Sequence, residues 1–158
     1  MKVVRRCLLA VVCLAVASLS IGQSQHVIQN LQEAKWGPAP PMLPPGAQVD
    51  VLSGNPGGTG LVSLRLKFPA GYRIPAHSHP TDENVAVQAG EVTFGMGDKL
   101  DPSAAANKTL TTGGFAKMPA GMNHYAFTKT GATIVLYAEG PIEFKYVNPA
   151  DDPRNQKK

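Results

Sequence analysis

From Leu61 onward the chain is cut at short, regular intervals by turns bearing glycine or proline: PAG, HPTD, QAG, GMGD, TTGG, PAG, KTGA and EGP. Between the cuts, apolar and polar residues alternate. In LVSLRLKF, Val62, Leu64, Leu66 and Phe68 share one face while Ser63, Arg65 and Lys67 share the other. Period-two alternation marks a half-buried strand, and breaks this frequent leave no room for a long helix. With 16 glycines, 14 prolines and few aromatic or charged residues, the chain reads as all-β, and 158 residues make one domain.

The remaining segments extend this pattern. NVAVQ and EVTFGMG flank Ala89-Gly90 and read as a hairpin, with Val92, Phe94 and Met96 on one face. GDKLDPSAAANKTL reads as a long polar loop and TTGGFAKM as a rising strand. YAFTKTGATIVLYAEG makes two strands joined at residues 129–131, and IEFKYV a last strand. Many short strands indicate a β-sandwich or barrel. TIVLYAE is apolar on both faces, which leaves one face for a second copy in a homodimer.

The first residues belong to a different category. MKVVRR is cationic, CLLAVVCLAVAS is apolar but short for a membrane span, and polar SIGQSQ follows. Residues 1–22 are expected to be a signal peptide, cleaved after Gly22, with an uncleaved anchor as the alternative. Cleavage makes the protein periplasmic or secreted, with no membrane attachment afterwards. Both cysteines, Cys7 and Cys13, leave with the leader, so the mature chain has neither disulfide nor thiolate ligand. The net charge of +4 also falls to about +1, because Lys2, Arg5 and Arg6 leave without an acid. No basic stripe remains to support nucleic-acid binding.

Residues 23–46 form an N-terminal arm. HVIQNLQEAKW reads equally as a short helix or a strand, and GPAPPMLPPGA is too rich in proline for either a helix or a central strand. VDVLSGNPGGTG then gives a short strand and a turn, and residues 148–158 read as a solvated tail.

The chemistry concentrates in GYRIPAHSHPTDENVAVQAG. His77 and His79, one residue apart on an extended strand, point to the same face. Glu83 lies an even number of residues further on and reaches that face if the chain stays extended. Two imidazoles and a carboxylate make most of a divalent-metal site. Of the other two histidines, His124 follows a Pro-x-Gly turn that opens a strand, whereas His26 sits in the arm. In an antiparallel sheet the His124 strand can lie beside that of His77 and His79. Phe94, Met96, Tyr125, Phe127 and Tyr137 are candidate pocket residues or plain core.

Two segments resemble the paired motifs of the cupins. Gly71, five residues, His77-Ser78-His79, three residues, Glu83, six residues and Gly90 match the first; Gly113, five residues, Pro119-Ala120-Gly121, two residues and His124 match the second. Thr128 departs from the pattern, which has asparagine there. The resemblance covers roughly residues 47–147 and implies a double-stranded β-helix, or jelly roll, barrel with the arm outside it. It implies that His77, His79, Glu83 and His124 bind one divalent metal ion (Mn, Fe, Ni, Cu or Zn). It further implies a dioxygenase, isomerase or lyase type of activity on a small oxygenated molecule. The alternative is a non-catalytic module that binds or senses a metal or small ligand.

Overall fold

The alternating segments become ten strands among residues 26–156, which the computed structural model describes. The expected leader, residues 1–22, lies outside the described residues. The strands are β1 (Gly37–Pro38), β2 (Gln48–Ser53), β3 (Gly60–Phe68), β4 (Arg73–Ser78), β5 (Glu83–Met96), β6 (Lys108–Thr111), β7 (Phe115–Met118), β8 (His124–Phe127), β9 (Ala132–Gly140) and β10 (Lys145–Tyr146). All pair antiparallel, in a curled sheet ordered β1-β2-β3-β9-β5-β8-β4-β10, with β6 and β7 also on β5. The described helices are single 3₁₀ turns, and none is long and apolar enough to cross a membrane.

The core fills the inside of the curl. Val62, Leu64, Leu66 and Phe68 are buried there, as their alternation requires, against Val85, Val87, Val92, Ile134 and Leu136.

The hairpin expected at Ala89-Gly90 does not form. Glu83–Met96 is one strand that crosses from one half of the sheet to the other. Up to Gly90 it pairs with β9, and from Thr93 it pairs with β8. A bulge between Val87 and Ala89 inserts one residue, which flips the parity of the inward positions from Glu83, Val85 and Val87 to Val92 and Phe94. Gly90 has φ 75°, and a Cβ there would stand 2.2 Å from the Gly131 carbonyl oxygen, so only glycine fits the corner. A two-residue hairpin of type I′ needs positive φ at two successive residues; here only Gly90 has it, and the chain bends without reversing. Met96 keeps the parity of Phe94 but ends the strand exposed.

Other expectations also shift. Arg65, placed on the polar face of β3, is buried: its guanidinium donates to Asp50 Oδ2 at 3.2 Å, to Gln88 Oε1, and to the side chain and carbonyl of Gln29 in the arm. The end of the long polar loop, with Thr111 of the segment after it, forms β6, and the last strand shrinks to Lys145–Tyr146. The tail is not merely solvated. Asn148 and Asp152 cap two 3₁₀ turns, and Arg154 donates to the Phe144 carbonyl at 3.0 Å. In the arm, the open choice between helix and strand resolves into a 3₁₀ turn at Leu31–Glu33 followed by β1.

Two buried tyrosines pin the next part of the arm across the barrel mouth. Tyr146 donates to the Met42 carbonyl at 2.7 Å and Tyr72 to that of Pro44. Leu43, between these two anchors, is buried in the core.

Candidate metal centre

β4 and β8 bring the histidines together. In their antiparallel register His77 stands directly opposite His124, after a bulge between Ile74 and His77 that turns His77 inward. His79 lies just past the end of β4. The chain does not stay extended from there: it crosses at residues 79–82, so Glu83 enters from the start of β5 and the other half of the sheet. The even spacing to Glu83 was thus not what aimed it. His26 is exposed in the arm and outside the group.

The donor atoms of His77, His79 and His124 lie within 4.8 Å of one another. Glu83 Oε2 is 3.2 Å from His124 Nε2 and 3.6 Å from His79 Nε2. All four residues are buried.

Each imidazole is aimed by its other nitrogen. The Nδ1 of His77 is 2.7 Å from the Pro75 carbonyl, that of His79 2.7 Å from the Glu143 carbonyl, and that of His124 3.0 Å from the Met122 carbonyl. A carbonyl only accepts, so each Nδ1 carries the proton and each neutral ring presents its Nε2 lone pair inward. With all three rings neutral, four acceptors face one another and no donor lies among them. His79 Nε2 is buried with no hydrogen-bond partner, the 3.6 Å to Glu83 being too long for one. A cation at the centre satisfies such a cluster, and imidazole nitrogen with carboxylate oxygen suits a divalent transition metal. These residues fit the metal that the motifs imply.

The titration behaviour agrees with a site awaiting positive charge. Burial first, then the neighbouring imidazoles of His124 and His79, push His77 down to about 3, so it stays neutral. Burial opposes ionisation of Glu83, but His124 and His79 beside it hold the carboxyl well below the usual carboxylate range. For His79, burial works against the charged form, and the nearby Glu83 carboxylate outweighs it and raises the pKa.

Beside the donors is a cavity of about 20 Å³, lined by His77, Glu83 and His124 with Leu66, Leu136 and Phe144. A single water needs about 10–15 Å³, so the space suits one such ligand. Phe144 stacks on His77 with centroids 4.6 Å apart and meets His79 edge-on at 4.5 Å. Of the expected pocket residues, Phe94 lines this cavity. Tyr125 is buried but turns its hydroxyl to Asp101 and Asn107, and Tyr137 is half-buried on the face of β9 opposite Leu136. Phe144 and Leu43 were not singled out by sequence. The signal for Leu43 was an aliphatic residue in an otherwise proline-rich arm.

Thr128, where asparagine was expected, is buried and accepts the Gly131 N–H on its Oγ1 at 2.9 Å. It holds the β8–β9 turn and does not touch the donors.

A curled jelly roll with three imidazoles and a carboxylate gathered inside it has the cupin fold, with a donor set able to hold a metal. The solved structures it resembles share that fold. A putative acetylacetone dioxygenase from Methylibium petroleiphilum matches with TM-score 0.61 and 19% identity over 83% of this chain and 87% of its own. The polyketide cyclase RemF from Streptomyces resistomycificus matches with TM-score 0.61 and 15% identity over 82% and 90%. An RmlC-like cupin from Shewanella frigidimarina matches with TM-score 0.55 and 18% identity over 74% and 93%. No curated protein matches the chain. Residues 20–150 match the family described as a domain of unknown function, DUF4437, and the chain belongs to that family.

Proposed function

We propose that the protein is an exported metal-dependent enzyme of the dioxygenase, isomerase or lyase type, acting on a small oxygenated molecule. One divalent ion, Mn, Fe, Ni, Cu or Zn, would be held by His77, His79, Glu83 and His124. The observation that carries the reading is the buried, unpartnered Nε2 of His79 among three other inward-facing acceptors. When bound, the ion supplies Lewis-acid or redox chemistry to an oxygen donor beside it.

The chain's own part is positioning and exclusion. The Pro75, Glu143 and Met122 carbonyls orient the three rings, and Glu83 supplies the negative charge. Phe144, Leu66 and Leu136 keep bulk water from His77, Glu83 and His124, which strengthens the electrostatic contacts among them. That one solved structure of this fold is a putative acetylacetone dioxygenase supports the enzyme reading. The same proposal includes removal of residues 1–22 on export to the periplasm or beyond, and pairing of two copies.

The test is elemental analysis of protein purified from its own host, followed by oxygen uptake and product analysis with enols, diols and phenols. About one ion per chain and turnover of one substrate class are expected. Retention of no ion, in native or reconstituted protein, would overturn the reading. An ion bound without turnover of any class would leave a binding module.

A further inference from the structure

A second cavity adjoins the first. It measures about 250 Å³ and lies under the arm, bounded by Pro40, Met42, Leu43, Leu64, Ile142 and Phe144. No side chain around it is polar or charged. Four of its residues, Leu43, Leu66, Leu136 and Phe144, also line the small cavity at the donors, so one layer of side chains separates the two. A wider polar cleft near Ser78, Asn123 and Lys145 reaches His79, but His77, Glu83 and His124 do not line it.

We propose that this apolar chamber holds the tail of the ligand, so that the site takes molecules with an oxygen-donor head and an apolar tail, with Phe144 as the partition they pass. The inference rests on the metal-enzyme reading for the head group and on the chamber alone for the tail. The donor cavity has room for a water-sized group only, so a larger head enters once the Phe144 ring swings aside. Sugars and polyanions would bring hydroxyls or charges into a chamber with no side-chain partner for them, at the cost of burying unpaired polar groups. Met42, half-buried at the rim, marks the outer limit.

Two measurements test this. In metal-free protein, 1-hexanol should shift the methyl resonances of Leu43, Leu64 and Ile142 in a saturable way, and Met42→Trp, which narrows the chamber at its rim, should weaken that binding. In protein loaded with cobalt(II), visible spectra should show alkyl hydroxamates binding about fourfold tighter for each added methylene from acetohydroxamate upward. Met42→Trp should flatten that series while still binding acetohydroxamate and one cobalt per chain. Phe144→Ala should speed hydroxamate binding without steepening the series. Absence of methyl shifts, or a series that is flat in the wild type, overturns the chamber and leaves the metal reading intact. Failure to load cobalt overturns the metal reading, and the hexanol titration still decides the chamber.

Discussion

His77 and His124 are cross-strand partners, residue opposite residue, in the β4–β8 ladder. Two segments more than forty positions apart thus place their imidazoles side by side, with centroids 4.4 Å apart.

Substitution of either histidine by alanine should strip the ion. If metal is present at a hundred times its dissociation constant, its binding contributes about 2.7 kcal/mol to stability, and that share should vanish in both variants. His26→Ala, in the exposed arm, should change nothing. Metal stoichiometry and thermal melting with and without chelator check this; full retention of metal in His124→Ala would contradict the assignment.

Metal binding should release a proton, and the source is His79. Its pKa is raised, so below that value it holds a proton that must leave before Nε2 can bind; above it the ring is already neutral. Affinity should therefore rise about tenfold per pH unit below the raised pKa and level off above it. His77, down to about 3, has none to give near neutrality. Calorimetry at pH 6 in buffers of different ionisation heat should show net proton release, and a count of zero would contradict the roles given to the two rings.

Gly90 and Gly71 both have positive φ, 75° and 76°, but their surroundings differ. Alanine at Gly71 meets nothing within 4 Å and should cost only the conformational penalty, about 1–2 kcal/mol. Alanine at Gly90 also collides with the Gly131 carbonyl at the bend and should cost clearly more, at least about 3 kcal/mol. Urea denaturation of the two variants measures the difference; equal losses would mean the bend is not tightly packed.

Arg65→Ala should destabilise by about 3–5 kcal/mol, because it strands Asp50 without its buried partner at 3.2 Å. Arg65→Met with Asp50→Leu should recover most of that loss. Neither change should alter metal content, since the pair is not among the donors. Denaturation midpoints and metal analysis together separate this effect from damage at the centre.

The histidine cluster was legible because strand parity and turn chemistry act locally, whereas Glu83 reached it by a crossing that its even spacing did not announce. His77-x-His79 and the Pro119-x-Gly121 turn before His124 carry their geometry in a few residues, and the cupin motifs supplied the partner strand. The bend in β5 was not legible. Ala89-Gly90 looks the same whether the chain reverses or turns a corner, and the choice was made by β9, which pairs as far as Gly90 and no further. Arg65 likewise sits at a polar position of an alternating strand, and only Gln29 and Asp50, brought from elsewhere, make that position an interior one. The covering of the mouth depends on Tyr146 reaching Met42, a contact across 104 positions that no local pattern announces.

His77 and His124 hang from carbonyls two residues behind them, whereas His79 leans on Glu143, sixty-four residues away. Glu143 adjoins Phe144, the ring that closes the donor cavity. Steering of one donor and shutting of the doorway are therefore tasks of a single peptide unit, and a guest that pushes on the door also tugs on the cage behind it.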